Sequence, residues 1–184
     1  MSNLMHRLHP HGPHMAQAGV SMIEAMVAVL VLSFGLLALA GFQLRVLADS
    51  SSASNQNMAA QLAGDMADRM RANPVAAAAP GTPYVADWTP AGSAGSSKSC
   101  TGAQITCSAA ELAADDVRRW QRAVASALPG GASNIQRKAM AGGLLFVHVA
   151  WDEPAVAHPI PPDPGWNCPD GKACLEVAVA VPQP

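Results

Sequence analysis

Residues 25–42 contain no charged side chain, and ten of them are Val, Leu or Phe. Eighteen residues coiled as a helix rise about 27 Å, close to the thickness of a bilayer's hydrocarbon core. The ten large apolar side chains contribute roughly -3 to -6 kcal/mol on an insertion scale. A carboxylate at the centre of such a span costs about 2.5 to 3.5 kcal/mol, and less near an end, so the segment inserts in spite of Glu24 at its front edge. The helical pattern then continues: Met58, Leu62, Met66 and Met70 recur every fourth residue, while Asp65, Asp68, Arg69 and Arg71 fall on other faces. A methionine stripe at this spacing is read as core rather than as a soft metal-ligand set. Pro74 should stop the helix at Asn73, and Arg69 and Arg71 suit the negative end of its dipole. A continuous helix over 20–72 would be about 80 Å long. A bend is expected at 50–57, SSSASNQN, where helix propensity is weak.

The next stretch, 74–99, is rich in Pro, Gly, Ala and Ser and reads as a surface loop anchored by Tyr84 and Trp88. Ser108 and Glu111 are spaced as a capping box, predicting a second helix with an apolar face of Leu112, Trp120, Val124 and Leu128 that ends at Pro129-Gly130-Gly131. Strands are expected over 135–140, 144–151 and 175–181, with a hairpin turn at Gly142-Gly143 between the first two. Strand alternation puts Leu145, Val147, Val149 and Trp151 on one face, and likewise Leu175, Val177, Val179 and Val181. These faces should meet the Met58 to Met70 stripe, with His148 on the opposite side as a surface or edge residue. The expected class is α+β, with a long N-terminal transmembrane and amphipathic helix packed on a small antiparallel sheet.

The 184 residues are 50% hydrophobic, 13% charged and 4% aromatic, and carry a net charge of -2. This lacks the basic footprint of a nucleic-acid-binding protein, so no nucleic-acid partner is expected. The cysteines form two close pairs, Cys100 with Cys107 and Cys168 with Cys174, in loops rich in Gly, Pro, Ser or Asp. Three pairings are formally available. Two local disulfides are the favoured reading, which places the C-terminal part in an oxidising compartment. Zinc is the competing reading, but neither spacing is that of a zinc knuckle and the nearest histidine, His158, lies in a proline-rich stretch. Asp115-Asp116 and Asp152-Glu153 are adjacent acids, which point different ways on a helix or strand and do not converge on a substrate. No nucleophile elbow, phosphate loop or dinucleotide fingerprint occurs, so no enzymatic activity and no cofactor are expected.

Residues 1–18 are polar, with two prolines and four histidines, His6, His9, His11 and His14, and read as a short leader rather than a metal tract. Two processing schemes compete. A secretory peptidase could cut after the small-residue triplet 38–40, releasing a soluble binding module that begins at Gly41; this gives Glu24 no role. Alternatively the cut falls after Gly19, before the apolar run, leaving Glu24 one helical turn from a new amine on Val20.

Gly19 followed by Val-Ser-Met-Ile-Glu and an unbroken apolar helix resembles the class III leader of type IV pilins and related pseudopilins. The stretches GLLALAGFQ at 35–43, LAGDMADRMRANP at 62–74 and HVAWDE at 148–153 are similar to the PilV family of minor pilins, the type IV pilus modification proteins. Val20, where Phe is commonest, and Gln17-Ala18, where a basic residue is usual, depart from the leader pattern. The resemblance implies cleavage by prepilin peptidase between Gly19 and Val20, N-methylation of Val20, and subunit docking through Glu24, whose carboxylate needs a partner in an apolar surrounding. It implies a leader at 1–19, a membrane half-helix at 20–43 and a periplasmic globular domain at 44–184. The implied function is that of a minor pilin in type IV pilus assembly, priming or modification, with a bearing on motility or adhesion. The implied partners are prepilin peptidase, other minor pilins, the major pilin, the inner-membrane assembly platform and membrane lipid. A minor pseudopilin of a type II secretion system is the alternative that shares leader and helix; the DRMRANP segment favours the pilin.

Overall fold

The computed structural model describes residues 21–89, 98–102, 104–138, 143–153 and 167–181. The chain divides into two compact units, Met1–Phe42 and Gln43–Pro184. Helix α1 (Met22–Ala72) supplies the helix of the first unit and the opening element of the second. In the first unit its large apolar side chains, from Met22 to Phe42, are all more than half exposed. A helix apolar on every side has no aqueous surface to offer, and this one is long and apolar enough to cross a membrane. Ser33, the one hydroxyl in the run, donates back to the Val29 carbonyl at 2.7 Å and so carries no unsatisfied donor into it.

In the second unit α1 becomes one-sided. It buries Ala48, Ser52, Ala59, Ala63, Met66, Ala67 and Met70, and the weak-propensity stretch 50–57 remains helical. Here the expected stripe needs correction, because Met58 is 38% exposed and Leu62 only partly buried. A row taken every fourth residue rotates by about 40° per step, so Met58 stands about 120° from Met70 and cannot share its face. The true seam is rich in alanine, which lets the helix backbone approach its neighbours closely.

At Asn73 the chain turns. Asn73 is the N-cap position of a short helix α2 (Pro74–Ala78), with proline in its first turn, where the missing N–H costs nothing. A strand β1 (Ala86–Thr89) follows. The region expected to be loop from 74 to 99 therefore contains two elements; β1 escaped a composition-based reading because four residues are too few to show alternation. Helix α3 (Ala109–Ala127) starts at the capping box, where the Ser108 hydroxyl accepts from the Glu111 N–H at 3.2 Å and the Glu111 carboxylate accepts from the Ser108 N–H at 2.8 Å. Its buried stripe is Ala113, Val117, Trp120 and Val124, continued by Leu128. Leu112 is not part of this face and is 37% exposed, since it lies about 80° from Trp120 around the helix.

The remaining strands are β2 (Ala132–Arg137), β3 (Leu145–Trp151) and β4 (Ala173–Val179). The sheet runs β1-β2-β3-β4 with every neighbouring pair antiparallel. β2 begins three residues earlier than alternation suggested because Ala132 already pairs with Ala150, and β4 begins at Ala173 because it pairs with Trp151. Of the expected turn glycines, Gly142 lies outside the described residues, and Gly143 has φ +87°, which glycine adopts without strain. Leu145, Val147, Val149 and Trp151 are buried and form one core with Ala63, Met66, Met70 and Trp120. On β4 only Val179 is fully buried; Leu175, Val177 and Val181 pack partly against the core, as befits a strand at the sheet's edge. The fold is α+β, with an apolar N-terminal helix packed through its C-terminal half on a four-stranded antiparallel sheet.

Two methionines of one sequence row should differ sharply when truncated. Met66→Ala, at a fully buried position, should cost about 2 to 5 kcal/mol, and Met58→Ala less than about 1 kcal/mol. Urea unfolding of the detergent-solubilised protein, followed by tryptophan fluorescence, measures both; equal losses would contradict the alanine-rich seam.

Candidate functional site

Glu24 lies in the first turn of α1 and is solvent-facing in the isolated chain. A carboxylate there sits favourably against the partial positive charge of a helix N-terminus. Gly19 and Val20, the expected cleavage and methylation positions, lie outside the described residues. All four cysteines are bonded, Cys100 to Cys107 and Cys168 to Cys174. No thiolate is then left for zinc, and among the described residues no group of three or more His, Cys, Asp or Glu side chains could hold a metal ion.

One cluster of charges in the globular unit lies where α1, α3 and the 82–84 turn meet. Asp115 is completely buried, and Asp116 is 6% exposed. As adjacent helical residues they diverge. Asp115 turns toward the first disulfide loop: its Oδ2 accepts from the Cys100 backbone N–H at 3.0 Å, and its Oδ1 accepts from Arg118, with Arg119 as a second ion-pair partner at 3.5 Å. Burial opposes ionisation of Asp115, but the Cys100 amide and the arginines outweigh it and hold the carboxyl below its ordinary range. Asp116 turns toward α1, accepting from Arg69 at 2.9 Å, with the Tyr84 hydroxyl 3.2 Å from its other oxygen. Arg69 is also bound by Asp65 of its own helix at 2.9 Å. Tyr84 has no exposed surface, and burial first, with Asp116 adding to it, pushes its hydroxyl up to about 12. Asn73 joins the cluster by donating to the Ala109 carbonyl at 2.8 Å.

A second cluster occupies the other face of the sheet and corrects the reading of His148. That side chain is fully buried, with Nδ1 3.0 Å from Asn134 Oδ1 and Nε2 2.8 Å from Glu176 Oε2. Asn134 and Glu176 are its direct cross-strand partners on β2 and β4, and the Trp88 ring lies with its centroid 6.0 Å away. Alternation correctly assigns the face of a strand residue but says nothing about whether that face is covered. Lys138 completes the row, pairing with Glu176 at 2.8 Å and resting 4.3 Å above the Phe146 ring. Burial opposes ionisation of Glu176 too, yet Lys138 and His148 together hold it below the usual carboxylate range.

The other adjacent acids also serve as ties. Glu153 accepts from the Trp151 indole at 2.7 Å and from Ser52 of α1 at 3.2 Å, while Asp152 pairs with Lys172 at 2.5 Å. The acids of these clusters are thus engaged by cations, amides, hydroxyls or an indole that join one element to another. The i, i+3 and i, i+4 spacings of Asp115 with Arg118 and Arg119, and of Asp65 with Arg69, were the sequence signals for this network.

Asp115 ties stability to pH in a defined direction. Its folded pKa is depressed, so its contribution is complete above the unfolded value of about 3.9 and disappears as pH falls through the lower folded value. Asp115→Asn should cost about 3 to 5 kcal/mol at neutral pH and flatten the acid limb below about pH 4. Urea titrations between neutrality and strong acid measure both effects; an unchanged acid limb would show that Asp115 is not the linked group.

Residues 41–118 match the family model described as Tt1218-like: Type IV pilin Tt1218. The match takes in the second-unit part of α1, α2, β1, the first disulfide loop and α3 as far as Arg118. No curated protein and no solved structure matches the chain. With this match, and with an apolar N-terminal helix packed on a small antiparallel sheet, the chain is similar to the type IV pilins in sequence over 41–118 and in architecture.

Proposed function

We propose that the protein is a minor pilin of the PilV kind, anchored in the inner membrane with its 44–184 domain in the periplasm and then taken into a type IV pilus. The observation that carries this reading is a single helix with two characters: a type IV pilin match from residue 41 onward, preceded by an all-round apolar segment with one acid, Glu24, in its first turn. A pilus buries such helices against one another, which gives the exposed apolar side chains a destination once they leave lipid. Cleavage after Gly19 by prepilin peptidase would create an ammonium on Val20, with methylation to follow. In a low-dielectric surrounding both that ammonium and the Glu24 carboxylate are costly alone, so an arriving subunit gains by pairing its charge with that of its neighbour. The neighbours in this reading are the major pilin and other minor pilins, and assembly proceeds on the inner-membrane platform. The clusters around Asp115 and His148 are structural in this scheme, holding the shape of the domain the pilus presents.

Two substitutions test it. Gly19 replaced by a bulky residue should leave full-length precursor in the inner membrane, because the peptidase must fit a small side chain beside the scissile bond. Normal processing in that variant, or a wild-type mature terminus at Gly41, would defeat the class III scheme. Glu24→Gln should leave cleavage and membrane residence unchanged while lowering incorporation; a docking penalty of about 1.4 kcal/mol suffices for a tenfold loss. The measurement is this protein's amount in sheared pili divided by its amount in membranes. An unchanged ratio removes Glu24 as the docking group, and retained secreted substrate with intact pili on deletion would assign the chain to a secretion system instead.

A further inference from the structure

The two disulfides close loops of similar size, with sequence separations of 7 and 6, but they are attached to very different surroundings. Cys100 gives its backbone N–H to Asp115, which has no exposed surface. Cys107 immediately precedes Ser108, the N-cap of α3. Lys98 lies just outside the loop and donates to the Thr106 carbonyl at 2.8 Å and to both oxygens of Glu111 at 3.2 Å. One covalent bond therefore fixes both the donor to a buried carboxylate and the entry to the helix that bears it. The next residue, Asp116, grips Arg69 of α1. By contrast, Cys174 lies in β4 opposite Ala150, and the ion pair from its loop, Lys172 with Asp152, involves a carboxylate that is 57% exposed. Exposed pairs of that kind contribute little.

We infer that the Cys100–Cys107 bond is a redox-controlled lock on α3, acting through the Asp115 carboxylate, and that Cys168–Cys174 has no such role. Cys100 and Cys107 are the positioning residues. Closing the bond removes two electrons and two protons from the two thiols; a disulfide-bearing oxidant takes them up and leaves as a dithiol, and an external dithiol reverses the exchange. With the bond closed, loop entropy is low and the Cys100 amide stays on Asp115. With it open, the amide is free to leave, Asp115 keeps only its arginines, and a buried acceptor loses a partner. The first half of α3 then loosens, and with it the Asp116 grip on the last turns of α1. Strands β3 and β4 share neither bond with this loop and stay closed. The domain therefore reaches its locked form only in an oxidising compartment, and this holds whether or not the chain enters a pilus.

The test is hydrogen exchange on the full-length protein in detergent, comparing wild type, the Cys100→Ser/Cys107→Ser pair, the Cys168→Ser/Cys174→Ser pair and Asp115→Asn with both disulfides intact. The first pair should raise exchange at 109–118 and 65–72 by tenfold or more and leave β3 unchanged. The second pair should affect only 167–175. Asp115→Asn should loosen the same α3 and α1 segments, and combining it with the first pair should add less than the two effects separately, because both act through one contact. Protection lost in β3 as well would make the bond a general staple and overturn the lock. Equal effects of the two pairs on α3, unchanged protection in Asp115→Asn, or full additivity would overturn it too.

Discussion

Arg69 is held between two carboxylates, Asp65 on its own helix and Asp116 on α3, and this double grip determines how the globular unit is assembled. α1 meets its neighbours through alanines and two buried methionines, Met66 and Met70, and the small alanine side chains permit close approach but define rotation poorly. A guanidinium fork is directional: its donors match carboxylate geometry only over a narrow range of angles. By binding Asp65 and Asp116 at once, Arg69 sets the angular position of α1 against α3. Tyr84 then closes the cluster from the 82–84 turn, with its hydroxyl within 3.3 Å of both the Arg69 carbonyl and Asp116. The Asp65 contact is exposed and contributes little, whereas Asp116 is nearly covered; a pair of that kind gains little net stability over apolar packing but tolerates few alternative arrangements.

The large elements were legible in the sequence because each rests on a local physical rule. An uninterrupted apolar run announces its own solvent, the Ser108 and Glu111 spacing satisfies its own backbone donors, and Pro74 forbids helix in the residue before it. Strand faces followed from alternation, and Trp151 and Val149 are buried on the side expected. The failures among the polar residues share one cause, which is that coverage is not local. His148 and Phe146 lie on one face of β3, but only the neighbouring strands decide that the histidine is sealed between Asn134 and Glu176. Adjacency showed that Asp115 and Asp116 diverge, but their partners, the Cys100 amide and Arg69, come from outside their helix. Met58 and Leu112 failed for a geometric reason, since spacing by fours drifts around a helix and identity alone does not reveal which end of the row faces inward.

The aromatic residues show how a lean core obtains a single arrangement. The whole chain has four Trp, one Tyr and three Phe, and two of the phenylalanines, Phe34 and Phe42, lie in the apolar run. The buried aromatics of the globular unit, Tyr84, Trp120 and Trp151, each also carry a hydrogen-bonding atom. The Trp120 indole donates to the Leu62 carbonyl of α1 at 2.8 Å, the Trp151 indole to Glu153, and Tyr84 reaches Asp116. A phenylalanine at any of these places would bury similar area without choosing an orientation. Glu153 extends the pattern by also accepting from Ser52, so that the polar stretch of α1, which propensity alone would leave loose, is tied to the end of β3.

These ties are distributed unevenly along α1, and the unevenness bears on function. From Ser52 to Arg69 the helix is held by a hydroxyl, a main-chain carbonyl and a guanidinium, each matched to a different partner in the second unit. From Met22 to Phe42 the described side chains have no polar contact beyond the internal Ser33 bond, and apart from Glu24 the surface is overwhelmingly apolar. Apolar contact is non-directional, so that half can exchange lipid for other apolar helices with little penalty. Directional bonds would resist such an exchange. The pilus reading proposed above calls for both behaviours in one helix, and the boundary between them falls where the polar side chains begin to have partners.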